Sequence, residues 1–87
     1  MLQMTEDAGD LLTQYLKDSD KTRKAAVRFV LEDGEFSLEF DRPHPGDTQF
    51  LHAGRLVLLM DRAISESLAN NTLDVTSTPK GQTLRLV

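Results

Sequence analysis

The amino-acid sequence predicts a small α+β domain, in which strands form a compact sandwich or partly open barrel with an N-terminal helix packed against it. An apolar stripe at helical spacing lies between Ala8 and Leu16, and alternating apolar and polar residues lie on both sides of Asp33-Gly34. The chain has 87 residues and no cysteine, so one core without disulfides must hold it. We expect residues 1–87 to form a single domain.

The first predicted element is a helix from Thr5 to Lys17. Thr5 is a suitable N-cap, and Glu6 and Asp7 suit the positive end of the helix dipole. The apolar residues that follow share one face of this helix: Ala8, Leu11, Leu12, Tyr15 and Leu16. The pattern ends at Asp18-Ser19-Asp20, and we expect the apolar face to pack on a sheet.

A hairpin is predicted around Glu32-Asp33-Gly34-Glu35, because Asp-Gly favours a tight turn between strands. The second strand should place Phe36, Leu38 and Phe40 on one face and polar residues on the other, which specifies its register. In the first strand, Arg28 and Val30 alternate with three apolar residues: Val27, Phe29 and Leu31.

The middle of the chain predicts a loop followed by two strands. Two prolines and a glycine between Asp41 and Asp47 argue against ladder pairing there. A short strand Thr48–Leu51, a turn at His52-Ala53-Gly54 and a strand from Arg55 to Met60 follow. The near-continuous apolar character of this last strand predicts cover on both faces.

The remaining elements are a short second helix and a closing strand pair. Asp61 is a suitable N-cap for a helix through Ala69, and Asn70-Asn71 suits a left-handed C-terminal stop. We predict strands at Thr72–Thr76 and Thr83–Val87, with Pro79-Lys80-Gly81 as the turn. The predicted core consists of Leu12, Leu16, Phe29, Phe36, Leu38, Phe40, Phe50, Leu56, Leu58 and Leu68.

This order of elements resembles the HesB-like, or A-type iron–sulfur cluster carrier, family. The resemblance covers nearly the whole chain and depends on the order and spacing of short segments. These segments are Met4-Thr5-Glu6-Asp7-Ala8, Leu38-Glu39-Phe40-Asp41, Gly46-Asp47-Thr48-Gln49-Phe50, Ala53-Gly54-Arg55-Leu56-Val57-Leu58-Leu59-Met60-Asp61 and Leu73-Asp74-Val75. It implies a HesB-like β-sandwich or partly open barrel with a second, short helix.

The resemblance also implies a site that this sequence does not supply. Members of the family hold iron or a cluster through cysteine thiolates, the soft ligands that such clusters require. The first family cysteine lies in a glycine-rich segment between the first two strands, which here is only Glu32-Asp33-Gly34-Glu35. The other two lie beyond the last strand, whereas this sequence ends at Val87. We therefore expect cluster binding to be lost, with no cofactor and no catalytic, cofactor-binding or metal residues.

Oxygen and nitrogen ligands could in principle replace the thiolates. Two histidines and a carboxylate can form an open non-haem iron site, and the candidates are His44, His52, Asp41, Asp47 and Asp61. His44 lies between two prolines and His52 in a predicted turn, and no metal-binding spacing such as H-E-x-x-H is present. We expect both histidines to be solvent-exposed loop residues.

The sequence does not favour an enzyme. Ser65 and Ser67 lack the G-x-S-x-G context, and no phosphate-binding glycine motif is present. Glu35 and Glu39 lie on the polar face of one strand, whereas a glycosidase pair needs a cleft between them. We expect no catalytic activity.

Charge and hydropathy exclude two further classes of partner. The net charge of −4 argues against nucleic-acid binding, which requires clustered cations. Four basic residues do lie close together, and we interpret them as a solvated edge: Lys21, Arg23, Lys24 and Arg28. No apolar run has the length of a membrane span, and no secretory signal is evident, so we expect a cytoplasmic protein.

Two functional hypotheses remain. The first is a cysteine-free HesB-like domain that acts by contact with a protein partner or by self-association. The second is an accessory protein of iron–sulfur cluster biogenesis, or of iron binding, that uses non-cysteine ligands or cysteines supplied by a partner. Iron reconstitution distinguishes the two, because only the second predicts bound iron.

Overall fold

A computed structural model describes residues 1–18 and 25–87 of the chain. The helices and strands in these ranges form an α+β arrangement, which confirms the predicted fold class. In chain order they are β1 (Gln3–Met4), α1 (Glu6–Asp18), β2 (Ala26–Glu32), β3 (Glu35–Asp41), β4 (Thr48–His52), β5 (Arg55–Met60), α2 (Arg62–Ser67), β6 (Thr72–Thr78) and β7 (Gly81–Leu86). Three of the four clustered basic residues, Lys21, Arg23 and Lys24, lie outside the described residues.

The strands form two mixed sheets. One has the order β1-β6-β7 and the other β3-β2-β5-β4. β1 pairs with β6, and β2 with β5, in parallel, and the remaining pairs are antiparallel. Helix α1 contacts strands of both sheets, and within the described residues the sheets do not close into a barrel. Neither helix of these ranges is long and apolar enough to cross a membrane.

The core lies where α1 meets both sheets. The apolar stripe of α1 buries Ala8, Leu12 and Leu16, as the helical spacing predicts. The largest fully buried side chains come from four elements: Phe29, Leu12, Leu58, Leu59, Met60, Leu73, Val27 and Val57. The buried run at the end of β5 confirms the prediction that both faces of this strand are covered.

The hairpin turn between β2 and β3 is as short as its sequence predicts. Asp33 and Gly34 have φ angles of 51° and 79°, the left-handed values that a two-residue hairpin turn requires. Ala53 and Gly54 adopt the same conformation between β4 and β5, with φ angles of 51° and 78°. Both turns therefore join their strands without an intervening loop.

Aspartates stabilise the N-termini of both helices, directly at α2 and through Thr5 at α1. The Asp61 carboxylate accepts a hydrogen bond from the Ile64 N–H at 2.8 Å, which confirms the predicted N-cap of α2. At α1, the Thr5 hydroxyl accepts from the Ala8 N–H at 3.2 Å and donates to Asp74 on β6 at 3.0 Å. The start of α1 is thereby tied to β6 across the fold.

Some predicted details are wrong. α2 ends at Ser67 without a left-handed residue at Asn70-Asn71, because the Leu68 N–H caps the helix instead by donating to Ile64 and Glu66 carbonyls. The two-residue strand β1 was not predicted, since its parallel pairing with β6 is a long-range contact that the local sequence does not show.

The predicted core is wrong at the edge of the larger sheet. Phe40 is 51% exposed, and Phe36 and Leu38 on the same strand are half-buried and pack against the core from its edge. Leu56 is also half-buried, but it lies near the start of the inner strand β5 and is a separate exception. β3 is the outermost strand of its sheet, so its apolar face extends past the elements that cover β2 and β5. Alternation of apolar residues reveals which face is apolar, but it does not reveal how far the cover reaches.

Candidate functional site

The region between β2 and β3 is where the resemblance would place a cluster ligand. The two-residue turn at Asp33-Gly34 joins two strands that pair without interruption from Ala26↔Asp41 to Glu32↔Glu35. The turn contains no longer loop that could direct a side chain toward the interior of the fold. The predicted tight turn is therefore confirmed at this position.

At the opposite end of the hairpin, Arg28 organises the loop that follows β3. Its guanidinium donates through Nε to Asp41 at 2.7 Å and through Nη1 and Nη2 to the two oxygens of Asp47, at 3.0 and 2.6 Å. Nη2 also donates to the Arg42 carbonyl at 3.2 Å. Because Asp47 receives a bidentate contact, this pair has the strongest geometry available to an arginine and a carboxylate.

Burial makes this ion cluster energetically important. Arg28 is only 8% exposed, and the Asp47 side chain is 4% exposed. The hydrogen bond from Arg28 lowers the pKa of Asp47 to about 2, and the same contact raises the pKa of Arg28. The pKa of Asp41 is also lowered, mainly by the hydrogen bond from the Arg28 side chain and to a smaller extent by that from the main-chain N–H of Arg42. The interpretation of Arg28 as part of a solvated edge is wrong, since it is buried between carboxylates.

The same cluster decides the position of three candidate metal ligands. His44 lies beside it, with its imidazole Nε2 3.3 Å from Asp41, and the main-chain N–H of His44 donates to Asp47 at 2.7 Å. The structure thus brings His44, Asp41 and Asp47 together. Their carboxylates, however, already accept hydrogen bonds from Arg28, so a metal ion would first have to displace an arginine.

His52 is not the exposed loop residue that the sequence predicts. It is the last residue of β4, its side chain is 19% exposed, and Nε2 lies 2.8 Å from the Asp10 carboxylate on α1. The imidazole covers Gly9, where an added Cβ would overlap the ring. The available signal in the sequence was a glycine inside an otherwise helical pattern, which often marks a close packing contact.

The other sequence candidates do not converge. Asp61 caps α2, and Ser65 and Ser67 lie on that helix. Glu35 and Glu39 are exposed on β3. In residues 1–18 and 25–87 there is no cluster of three or more histidine, aspartate or glutamate side chains placed to hold a metal ion.

The apolar face of β3 is only partly covered by the rest of the described residues. Phe36 stacks on Phe29 with ring centroids 4.8 Å apart, and Leu38 is opposite Phe29 in the strand register. Phe40, opposite Val27, has half of its surface in solvent. We call Phe36, Leu38 and Phe40 together the β3 apolar row.

Comparisons with known proteins bear on the fold. No family model matches the sequence, and no curated protein matches it. The crystal structure of Escherichia coli SufA, involved in biosynthesis of iron–sulfur clusters, matches with a TM-score of 0.79 and 18% identity over 99% of this chain and 83% of SufA. IscA with a [2Fe-2S] cluster matches with a TM-score of 0.67 and 17% identity, over 100% of this chain and 81% of IscA.

A third match is the solution structure of a protein from Aquifex aeolicus, with a TM-score of 0.73 and 15% identity over 99% of this chain and 89% of that protein. These matches confirm the resemblance to HesB-like, A-type iron–sulfur carriers at the level of the fold. The 87 residues of this chain contain no cysteine, so the chain has this fold without the thiolate ligands that the family resemblance implies.

Proposed function

We propose that this chain is a non-catalytic domain of the HesB-like fold that acts by protein–protein contact and has lost cluster binding. The observation that carries the proposal is the β3 apolar row, which ends in a phenylalanine that is 51% exposed at the edge of a sheet. We also propose that residues 1–87 act as one domain in the cytoplasm.

Two features of the chain support the loss of cluster binding. Cluster iron is held by several thiolates, and these 87 residues offer none. The Asp41 and Asp47 carboxylates beside His44 already accept hydrogen bonds from Arg28, and the Asp33-Gly34 turn provides no loop for a new set of ligands. The chemistry that the carrier fold serves elsewhere therefore has no ligands here.

Two features support a contact surface. Removing the exposed half of Phe40 from water would contribute about 2 kcal/mol, and aromatic side chains are enriched where proteins associate. The strand that carries Phe40 is held rigidly, because it pairs with β2 along its whole length and Arg28 binds Asp41 at its end. A rigid surface loses little conformational entropy when a partner binds.

Site-specific photo-crosslinking in the source cells tests this proposal. A photo-reactive phenylalanine analogue replaces Phe40 in one variant and Ser77, an exposed residue of β6, in the matched control. We expect one defined protein, identified by mass spectrometry, to be linked at position 40 and not at position 77. The adduct should be lost when Phe36→Ser is added. Equal labelling at both positions, or none at position 40, would overturn the proposal.

A further inference from the structure

We infer that the outer edge of β3 accepts an extended segment of a partner protein as an additional strand, and that this segment alternates apolar with basic residues. The inference rests on the proposed function, because it states the chemistry of the partner that the β3 apolar row contacts. Strand addition at a sheet edge is an established mode of peptide recognition, with main-chain hydrogen bonds for affinity and alternate side chains for specificity.

The edge has the length and order that strand addition requires. β3 spans Glu35–Asp41 and is the end strand of its sheet, so its outward N–H and C=O groups face no other strand of the described residues. The turn at Gly34 fixes one end of the strand, and the 2.7 Å contact from Arg28 to Asp41 fixes the other. An incoming strand would therefore meet a preorganised template.

The apolar positions of the incoming strand follow from the β3 apolar row. Phe36, Leu38 and Phe40 project to the same face at alternate positions, and none of them is fully buried. An added strand places its own alternate side chains beside this row on the same face. Apolar residues at every second position would continue the core and cover Phe40.

The basic positions follow from the opposite face. Glu35 and Glu39 are exposed there, and Glu32 lies directly opposite Glu35 in the register, an unfavourable pairing of like charges. No ion pair within residues 1–18 and 25–87 involves any of these three glutamates. Lysine or arginine at alternate positions of a new strand would place opposite charges beside Glu35 and Glu39.

Charge also argues against a second copy of this chain as the occupant. An antiparallel pair of β3 strands centred on Ser37 places Glu35 opposite Glu39 twice, and centring on Leu38 places Glu35 opposite Asp41 twice. Both arrangements oppose like charges, and each chain carries a net charge of −4. Charged residues on an edge strand commonly prevent such self-pairing. The acidic edge therefore rejects its own copy and favours a basic strand.

Peptide titration tests the inference. A short synthetic peptide that alternates lysine and valine is titrated into the isotope-labelled 87-residue chain and followed by NMR. Two controls replace each lysine by glutamate, or methylate the amide nitrogens that would pair with β3. We expect shifts confined to Glu35–Asp41 and its neighbours on β2, binding weaker by roughly tenfold with the glutamate peptide, and no binding of the methylated peptide.

A matched pair of variants sharpens the test. Glu35→Gln with Glu39→Gln should weaken binding of the lysine peptide roughly three- to tenfold, since two cross-strand charge pairs are lost. Glu6→Gln with Glu66→Gln removes two negative charges from exposed helix residues elsewhere and should leave binding unchanged. Binding that survives methylation, equal binding of the glutamate peptide, or shifts outside the β2–β3 hairpin would overturn the inference.

The outcome is separable from that of the proposed function. If the crosslink at position 40 forms while the lysine peptide does not bind, the contact surface stands and strand addition by a basic segment is wrong. If no crosslink forms, the proposed function itself fails. Sedimentation of the chain alone would reveal β3-mediated self-association, which would also contradict the inference if Phe40→Ser abolished it.

Discussion

Two neighbouring residues of β3 have opposite environments. Asp41 points to the polar side of the strand and accepts a 2.7 Å hydrogen bond from the nearly buried Arg28. Phe40, one residue earlier, points to the apolar side and is 51% exposed. Among the described residues every buried side-chain nitrogen or oxygen atom has a hydrogen-bond partner. The buried polar groups beside β3 are thus satisfied internally, whereas its apolar side is left partly in solvent.

This contrast explains why the fold alone does not define the function. The carboxylates that could have served as ligands hold the loop after β3 in place instead. In the β3 apolar row, Phe36 and Leu38 pack against the core, whereas Phe40 is left half in solvent and is the surface that the proposed protein contact would use.

The largest effect is expected within the aromatic residues of the hairpin. Phe29→Ala should lower the free energy of unfolding by about 3–5 kcal/mol, because Phe29 is fully buried. Phe40→Ala, the matched substitution, should cost less than about 1 kcal/mol, since half of its surface is already in solvent. Urea unfolding measures both. Equal losses would show that the β3 apolar row belongs to the closed core.

The second effect concerns the ion cluster. Asp47→Ala should lower the free energy of unfolding by about 3 kcal/mol, at the low end for breaking a buried ion pair, because Asp41 still binds Arg28. Glu66→Ala is the control, since it breaks an exposed pair with Arg62 and should cost less than about 1 kcal/mol. A similar, small loss in both variants would contradict the structural role of the cluster.

The third effect concerns the contact between α1 and β4. Gly9→Ala should destabilise the chain by about 1–3 kcal/mol, because the new methyl group overlaps His52. In a His52→Ala background the same substitution should instead stabilise it by up to about 1 kcal/mol, since alanine favours a helix more than glycine does. Thermal unfolding of the four variants measures this, and the absence of a sign change would refute the contact.

The smallest effect is expected in the free energy of unfolding at acidic pH. Arg28 lowers the pKa of Asp47 from 3.8 to about 2, so the folded state holds this carboxylate ionised where the unfolded state would protonate it. The contribution is complete above about pH 4 to 5 and is lost as the pH falls toward 2. Asp47→Asn should flatten this part of the pH profile of the unfolding free energy. An unchanged slope would contradict the pKa shift.

Local sequence signals predicted individual elements of the fold but missed the contacts between residues that are far apart in the chain. Helix α1, the Asp33-Gly34 turn and the Asp61 cap are each encoded within a few residues, and all three are confirmed. The Arg28 cluster joins residues separated by 13 and 19 positions, and the Thr5–Asp74 contact spans 69. Opposite charges and hydroxyls occur throughout the chain, so nothing local indicates which of them meet.

The exposure of Phe40 could not be predicted for a related reason. Its alternation with Ser37 and Glu39 is typical of any half-buried strand, whether central or at an edge. Only the order β3-β2-β5-β4 shows that no strand of the described residues lies beyond it. The candidate contact surface could therefore be identified only from the order of strands in the sheet, whereas the absence of thiolates was evident from the sequence itself.

Anaerobic reconstitution with iron and sulfide, followed by desalting, tests the central claim most directly, namely that this carrier fold acts without a cluster. IscA, whose structure contains a [2Fe-2S] cluster, is treated in parallel as the positive control. We predict a colourless protein that retains neither iron nor acid-labile sulfide, because these 87 residues supply no thiolate. Retention of iron and sulfide near one cluster per monomer or dimer would contradict this account.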